Sequence, residues 1–170
     1  PYRHWIVGGW LAGVLLLSGR LILGVVGTAK WRREADLLPG SHRSTIDRLC
    51  DQLCGRMRMR VPLVRTTQRV SEAVVLGLFK PMVLLPTAWV VELPPDMLEA
   101  VIAHELAHLR RFDLWVNLVQ RVVETLLFYH PAVWWLSRRI RIEREKCCDE
   151  LAVQATDDRV GYASALEHVA

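Results

Sequence analysis

The run His104-Glu105-Leu106-Ala107-His108 sets two imidazoles four residues apart, with a carboxylate beside the first. On an α-helix that spacing stacks both rings on one face, where both can bind a single zinc ion. Glu105, turned about 100° from His104, can then reach a water held at the metal. A catalytic zinc takes three protein ligands and leaves a fourth position open, so a third ligand is needed downstream. Glu145 meets that need, because Asp149 follows it by four residues in Glu143-Arg144-Glu145-Lys146-Cys147-Cys148-Asp149. On a helix one carboxylate can ligate while the other accepts a hydrogen bond from a ligand imidazole and fixes its tautomer. Glu143 lacks such a carboxylate and is the weaker choice. Cys147 and Cys148 point about 100° apart and cannot both reach one ion. The chemistry expected of this set is zinc-assisted peptide hydrolysis, with Glu105 as the general base.

The elements that must position these groups can be read around them. Pro94-Pro95-Asp96 precedes a helical pattern through Arg111, with Asp96 expected as its N-cap and Leu98, Val101, Ile102, Leu106 and Leu109 on its apolar side. Leu114 to Tyr129 reads as a helix broken by His130-Pro131 and too short to span a bilayer comfortably. Its polar residues Asn117, Gln120, Arg121 and Glu124 recur on one stripe, expected toward water. Trp134, Trp135, Arg138, Arg139 and Arg141 then combine aromatic and basic groups, as in a membrane-surface contact or an ordinary solvated helix.

Upstream, Leu38-Pro39-Gly40-Ser41 reads as a turn, and Ser44 with Asp47 as a capping box opening a short helix that Gly55 ends. Cys50 and Cys54 fall on its apolar face with Ile46, Leu49, Leu53 and Met57, and read as core thiols. Arg58 to Thr67 and Ser71 to Pro86, punctuated by Pro62, Gly77 and Pro81, read as short strands of a small antiparallel sheet. Arg56, Arg58 and Arg60 alternating with Met57 and Met59 would give one wet and one buried strand face. Ala73, Val74, Val75 and Leu76 suit either an edge that pairs with an extended peptide substrate or a buried interior strand.

From Trp5 to Ala29 the only formal charge is Arg20. As a helix the stretch measures about 37 Å, against roughly 30 Å of hydrocarbon core. Twelve Leu, Ile and Val residues outweigh the arginine on an insertion scale, by roughly 5 to 3 kcal/mol, so a membrane-embedded helix is expected. Lys30, Arg32 and Arg33 follow the span and Arg3 alone precedes it, which puts the C-terminal side in the cytoplasm of a cell whose inner membrane holds the protein. Gly9 and Gly13 form a GxxxG spacing suited to helix–helix self-association. The expected organisation is residues 1–33 as a transmembrane helix with its flanks and 34–170 as a cytoplasmic zinc metallopeptidase domain. The start at Pro1 and the stop at Ala170 within a helical pattern lead us to expect a piece of a longer protein.

With 170 residues, 52% hydrophobic, the chain is too apolar for disorder and large enough for one core. Four cysteines do not make a secreted disulfide scaffold. The net charge of +4 comes from arginines spread among acids; no nucleic-acid recognition motif accompanies it, so no direct nucleic-acid partner is expected, whereas membrane lipid is.

Four segments stand out together: Gly77-Leu78-Phe79-Lys80-Pro81-Met82-Val83-Leu84-Leu85-Pro86, His104 through Asp113, Phe128-Tyr129-His130-Pro131-Ala132-Val133-Trp134-Trp135, and Glu145-Lys146-Cys147-Cys148-Asp149. With them the sequence resembles the BlaR/MecR-type antirepressor metallopeptidases. The resemblance implies an α+β, mainly helical, gluzincin-like metallopeptidase domain on the cytoplasmic side of the membrane. It further implies zinc on His104, His108 and Glu145, catalysis by Glu105, and a protein substrate such as a transcriptional repressor in a signalling pathway. The prenyl-protein and heat-shock membrane proteases share HExxH with a later Glu and Asp and are the nearest alternative. A non-catalytic module keeping zinc for structure is a second, against which the intact Glu105 speaks.

Overall fold

The computed structural model describes residues 2–36 and 40–169. It is mainly helical, with one small sheet: α1 Arg3–Glu34, α2 Gly40–Met57, β1 Leu63–Thr67, β2 Val74–Leu76, β3 Met82–Pro86, α3 Thr87–Glu92, α4 Pro95–Arg110, α5 Asp113–Leu126, α6 Pro131–Thr156 and α7 Arg159–Val169.

Helix α4 is the hub. Ala100, Ala103 and Ala107 are buried on it, and their small side chains let α6 approach closely with Ala152 and Ala155. Ile102 and Leu106 are fully buried, and α2, α6 and α7 all pack against this helix. Its N-cap is Pro94, with no side-chain cap, and Pro95 occupies the first turn, where a missing N–H costs nothing. Asp96 therefore lies inside the first turn, where its charge faces the positive end of the helix dipole, and is not the expected cap.

Helix α2 begins at Gly40, ahead of the Ser44 capping box, and runs through Gly55. Most of the turn expected at Leu38-Pro39-Gly40-Ser41 lies outside the described residues. The helix ends at Arg58, which takes a left-handed φ of 53°. There the Met59 N–H reaches back to the Cys54 carbonyl at 3.0 Å and the Arg58 N–H to that of Gly55 at 3.2 Å. Arg56 and Met57 are thus helical and Arg58 is the cap, so the expected Arg/Met strand alternation does not exist.

The sheet is mixed, not antiparallel. Its order is β1-β3-β2, with β1 parallel to the fully buried β3 and β2 antiparallel to it. A hydrophobic run reads the same in either direction, which is why sequence periodicity did not distinguish them. The β2–β3 turn uses Gly77 at φ 90°, where a Cβ would strike the Lys80 carbonyl and the Arg32 guanidinium. Strand β2 is an edge; among the described residues no strand pairs with its outer side.

Helix α1 has no buried residue and is long and apolar enough to cross a membrane. It meets the rest of the chain at a few points. The Trp10 indole N–H donates to the Leu126 carbonyl at 3.0 Å, Phe128 seats against Gly13, and Glu34 pairs with Arg69. Gly13 of the GxxxG pair thus receives a ring from its own chain, while Gly9 faces open space.

Helix α5 is inside out relative to the sequence expectation. Its polar stripe turns inward: Gln120 is buried and donates to the Ser137 carbonyl on α6 and to Glu124, both at 3.1 Å, and Glu124 also pairs with Arg121. Trp115, Val116, Val119, Val122, Val123 and Leu126 are exposed.

Cys50 and Cys54 are buried on α2, and burial pushes their thiols up to about 12 and about 11 respectively. Thiolate is the reactive form. Brief iodoacetamide treatment at mildly alkaline pH should leave both cysteines unmodified in the folded protein and alkylate both in guanidinium, read by peptide mass spectrometry.

Candidate metal centre

Helix α4 places His104 and His108 one turn apart, with rings 4.8 Å between centroids and nearly perpendicular. Their Nε2 atoms face each other at 3.2 Å. Helix α6 crosses α4 and brings Glu145 to them, its Oε2 3.7 Å from the His104 Nε2 and 3.5 Å from the His108 Nε2. The other Glu145 oxygen lies 3.5 Å from an Arg144 Nη2, an arrangement that leaves Oε2 toward the histidines.

The remaining ring nitrogens are tied down from other elements. The His108 Nδ1–H donates to Asp113 Oδ2 at 2.8 Å, and the same oxygen accepts from the Cys148 thiol at 3.2 Å. Burial and that hydrogen bond push the thiol well above its usual range, so it stays a neutral donor. His104 Nδ1 lies 3.1 Å from Asp149 Oδ1 and 2.9 Å from the Tyr162 hydroxyl, which itself donates to Asp149 Oδ1 at 2.9 Å. Burial, then the bond to Asp149, keep the Tyr162 phenol protonated. Each imidazole thus carries its proton on Nδ1 and presents a bare Nε2 lone pair.

Two lone pairs and a carboxylate oxygen at mutual distances of 3.2–3.7 Å repel unless a cation lies among them. Tetrahedral zinc with ligands at about 2.0–2.1 Å sets those ligands roughly 3.3–3.4 Å apart. The donor set therefore fits zinc. Burial and the neighbouring His108 also hold His104 below its ordinary pKa, in the unprotonated form a ligand needs.

Glu105 is 9% exposed, and burial pushes its carboxyl up to about 7, with Glu145 and Glu72 acting the same way and His108 opposing them. Glu72 stands two residues before β2, so the sheet edge approaches the same region as the α4 acid.

Of the residues singled out from the sequence, the structure brings His104, His108, Glu145 and Asp149 together, with Glu105 beside them. Glu143 pairs with Lys146 at 3.1 Å on the exposed side of α6. Cys148 is buried against Asp113, outside the three-ligand set. Ala73 to Leu76 fall on and just before β2. Asp113 and Tyr162 escaped the sequence reading. Asp113 returns to His108 only because Phe112 takes a left-handed φ of 58° between α4 and α5, and Tyr162 arrives from α7, far along the chain. The one available signal for Asp113 was a carboxylate five residues beyond a candidate ligand.

The family model described as BlaR1 peptidase M56 matches residues 4–169. The regulatory protein BlaR1 of Bacillus licheniformis is 21% identical over 151 residues, which cover 89% of this chain and 25% of that protein. The methicillin resistance mecR1 proteins of Staphylococcus aureus and Staphylococcus epidermidis are each 29% identical over 102 residues, or 59% of this chain and 17% of theirs. The chain thus spans a quarter or less of the length of these relatives.

Removing a carboxylate that orients a ligand histidine typically weakens metal binding about 10- to 100-fold. Asp113→Asn should weaken zinc binding by that factor in competition with a chelator. Tyr162→Phe, which leaves Asp149 within reach of His104, should cost less.

Proposed function

Because the chain belongs to the BlaR1 peptidase M56 family, we propose that it forms the catalytic part of a membrane-anchored zinc metalloendopeptidase, with His104, His108 and Glu145 as zinc ligands and Glu105 as the general base. The observation that carries this reading is the convergence of three bare ligand atoms from two helices beside a buried carboxylate. Zinc bound there supplies Lewis acidity, polarising a peptide carbonyl and making water acidic enough to attack near neutral pH.

The chain's own residues do the rest. Asp113, and Asp149 together with Tyr162, hold the two imidazoles in the ligating tautomer. Glu105 accepts the water proton and returns it to the leaving amine, in a pocket from which burial excludes most solvent. An extended substrate pairs along the outer side of β2 at Val74, Val75 and Leu76, with Ala73 leading in, through main-chain hydrogen bonds that ask little of the substrate's side chains. Among relatives named as regulatory and resistance proteins, a transcriptional repressor is the substrate we favour, and a signalling pathway the setting. The basic cluster Lys30, Arg32 and Arg33 after the apolar span orients the metal centre to the cytoplasm.

The ligand and base assignments are separated by two variants. Glu105→Gln should retain near-stoichiometric zinc and lose about 10²- to 10⁴-fold in peptide cleavage; Glu145→Ala should lose the zinc itself, measured by metal analysis of purified protein. Undiminished cleavage by a zinc-loaded Glu105→Gln protein refutes the base assignment.

Substrate pairing on β2 is tested by Val75→Pro, which removes one backbone donor from an edge strand. Cleavage should fall while zinc content and Tm hold. Loss of the fold would mean that β2 is needed for the sheet and the peptide binds elsewhere.

A further inference from the structure

Helix α5 of the α5–α6 hairpin is largely polar inside and apolar outside, and the first turns of α6 expose a mixture of apolar and basic residues. On α5 the inward face carries Asn117, Gln120 and Glu124, with the half-exposed Arg121 at its margin; the outward face carries the six exposed apolar residues from Trp115 to Leu126. On α6 the residues after the turn, Trp134, Trp135, Leu136 and Ile140, are likewise exposed. A helix pair in water has the opposite polarity.

What covers this surface follows from where the hairpin sits against α1. The Trp10 indole bonds the Leu126 carbonyl and Phe128 packs on Gly13, so the hairpin turn lies beside residues 10–13 of α1. Trp10 is 19 residues from Ala29, about 28 Å along the helix. If Trp5 to Ala29 occupies the bilayer, the turn lies well inside it. A spanning α1 and a water-exposed hairpin are incompatible in this fold.

We infer that the α5–α6 hairpin is inserted into the bilayer alongside α1, with lipid acyl chains against its outer face. The polar stripe of α5 is partly covered and its charges are paired, as such an insertion requires: Gln120 is buried, the half-exposed Arg121 pairs with Glu124, and Arg121 and Glu124 line a cavity of about 1180 Å³ shared with Arg20 of α1. Aromatic rings collect at two levels. Phe79 and Trp115, 5.3 Å apart, lie toward the Trp31 end of α1, and Tyr129 and Trp134 lie near the turn. Arg138, Arg139 and Arg141, exposed on α6 about 10–15 Å from the turn, are the charges that an inserted hairpin has to accommodate by turning their long side chains toward the headgroups. Asp113 and Glu145 stand about 20 Å from the turn along α5 and α6, which sets the metal centre at the membrane surface and not out in the aqueous phase. A substrate must then offer its scissile bond at that surface.

The inference does not depend on zinc or on proteolysis, and its test uses neither. In the whole chain with Cys147→Ser, reconstituted in phospholipid nanodiscs, nitroxide labels are placed singly at Val119→Cys, Val122→Cys, Leu16→Cys on α1 and Glu92→Cys on α3. All four positions are exposed, so folding tolerates the change. Labels at 119 and 122 should collide with oxygen several-fold more, relative to a water-soluble nickel chelate, than the label at 92, and should match the label at 16. A chelate-accessible 119 and 122 overturns the inference, whether or not 16 is in lipid. Protection of 119 and 122 from both reagents also overturns it, since a protein segment would then be the occupant.

Discussion

Two imidazole nitrogens of the same kind face each other at 3.2 Å, and the arrangement holds because each ring is anchored through its other nitrogen. The anchors come from three directions: Asp113 opens α5, Asp149 lies on α6 and Tyr162 on α7. The helices around α4 are therefore required by the site as much as by the core. The alanine seam that lets α6 approach α4 also sets how near Glu145 comes to the two rings. A larger residue at Ala103 or Ala152, both fully buried, would overpack the core and displace α6 together with the Glu145 carboxylate it carries.

The same helices serve two environments. The half of α6 beyond Cys148 is packed into the protein core through Ala152 and Ala155, whereas the half before Ile142 exposes tryptophans and leucine. Glu145 sits where one regime passes into the other. The reversal of polarity along a single helix of 26 residues accounts for its weak overall amphipathicity, and for why composition alone does not say what surrounds it.

Local chemistry was legible in the sequence and relative placement was not. The two histidines share a face because a four-residue spacing is one helical turn, and Glu145 with Asp149 repeats the argument on a second helix. Asp113 depends on a left-handed Phe112, a conformation no sequence signal announces for a phenylalanine. Tyr162 depends on how α7 packs. Periodicity separated the two faces of α5 correctly but assigned the polar one to water, since it reports that faces differ and not which faces inward. The sheet was found as strands, while its mixed direction follows from how the chain crosses between β1 and β3.

The hydrogen bond from His104 to Tyr162 spans 58 residues of chain. A ribosome adding roughly 5–20 residues per second takes about 3–12 s to cover that distance. At the start of that interval α1 and the paired histidines have been made, yet neither Glu145 nor Tyr162 is in the chain to complete and steady the centre. The apolar helix is thus made before the candidate metal centre can be assembled, and the order of synthesis leaves that centre incomplete until α7 has followed.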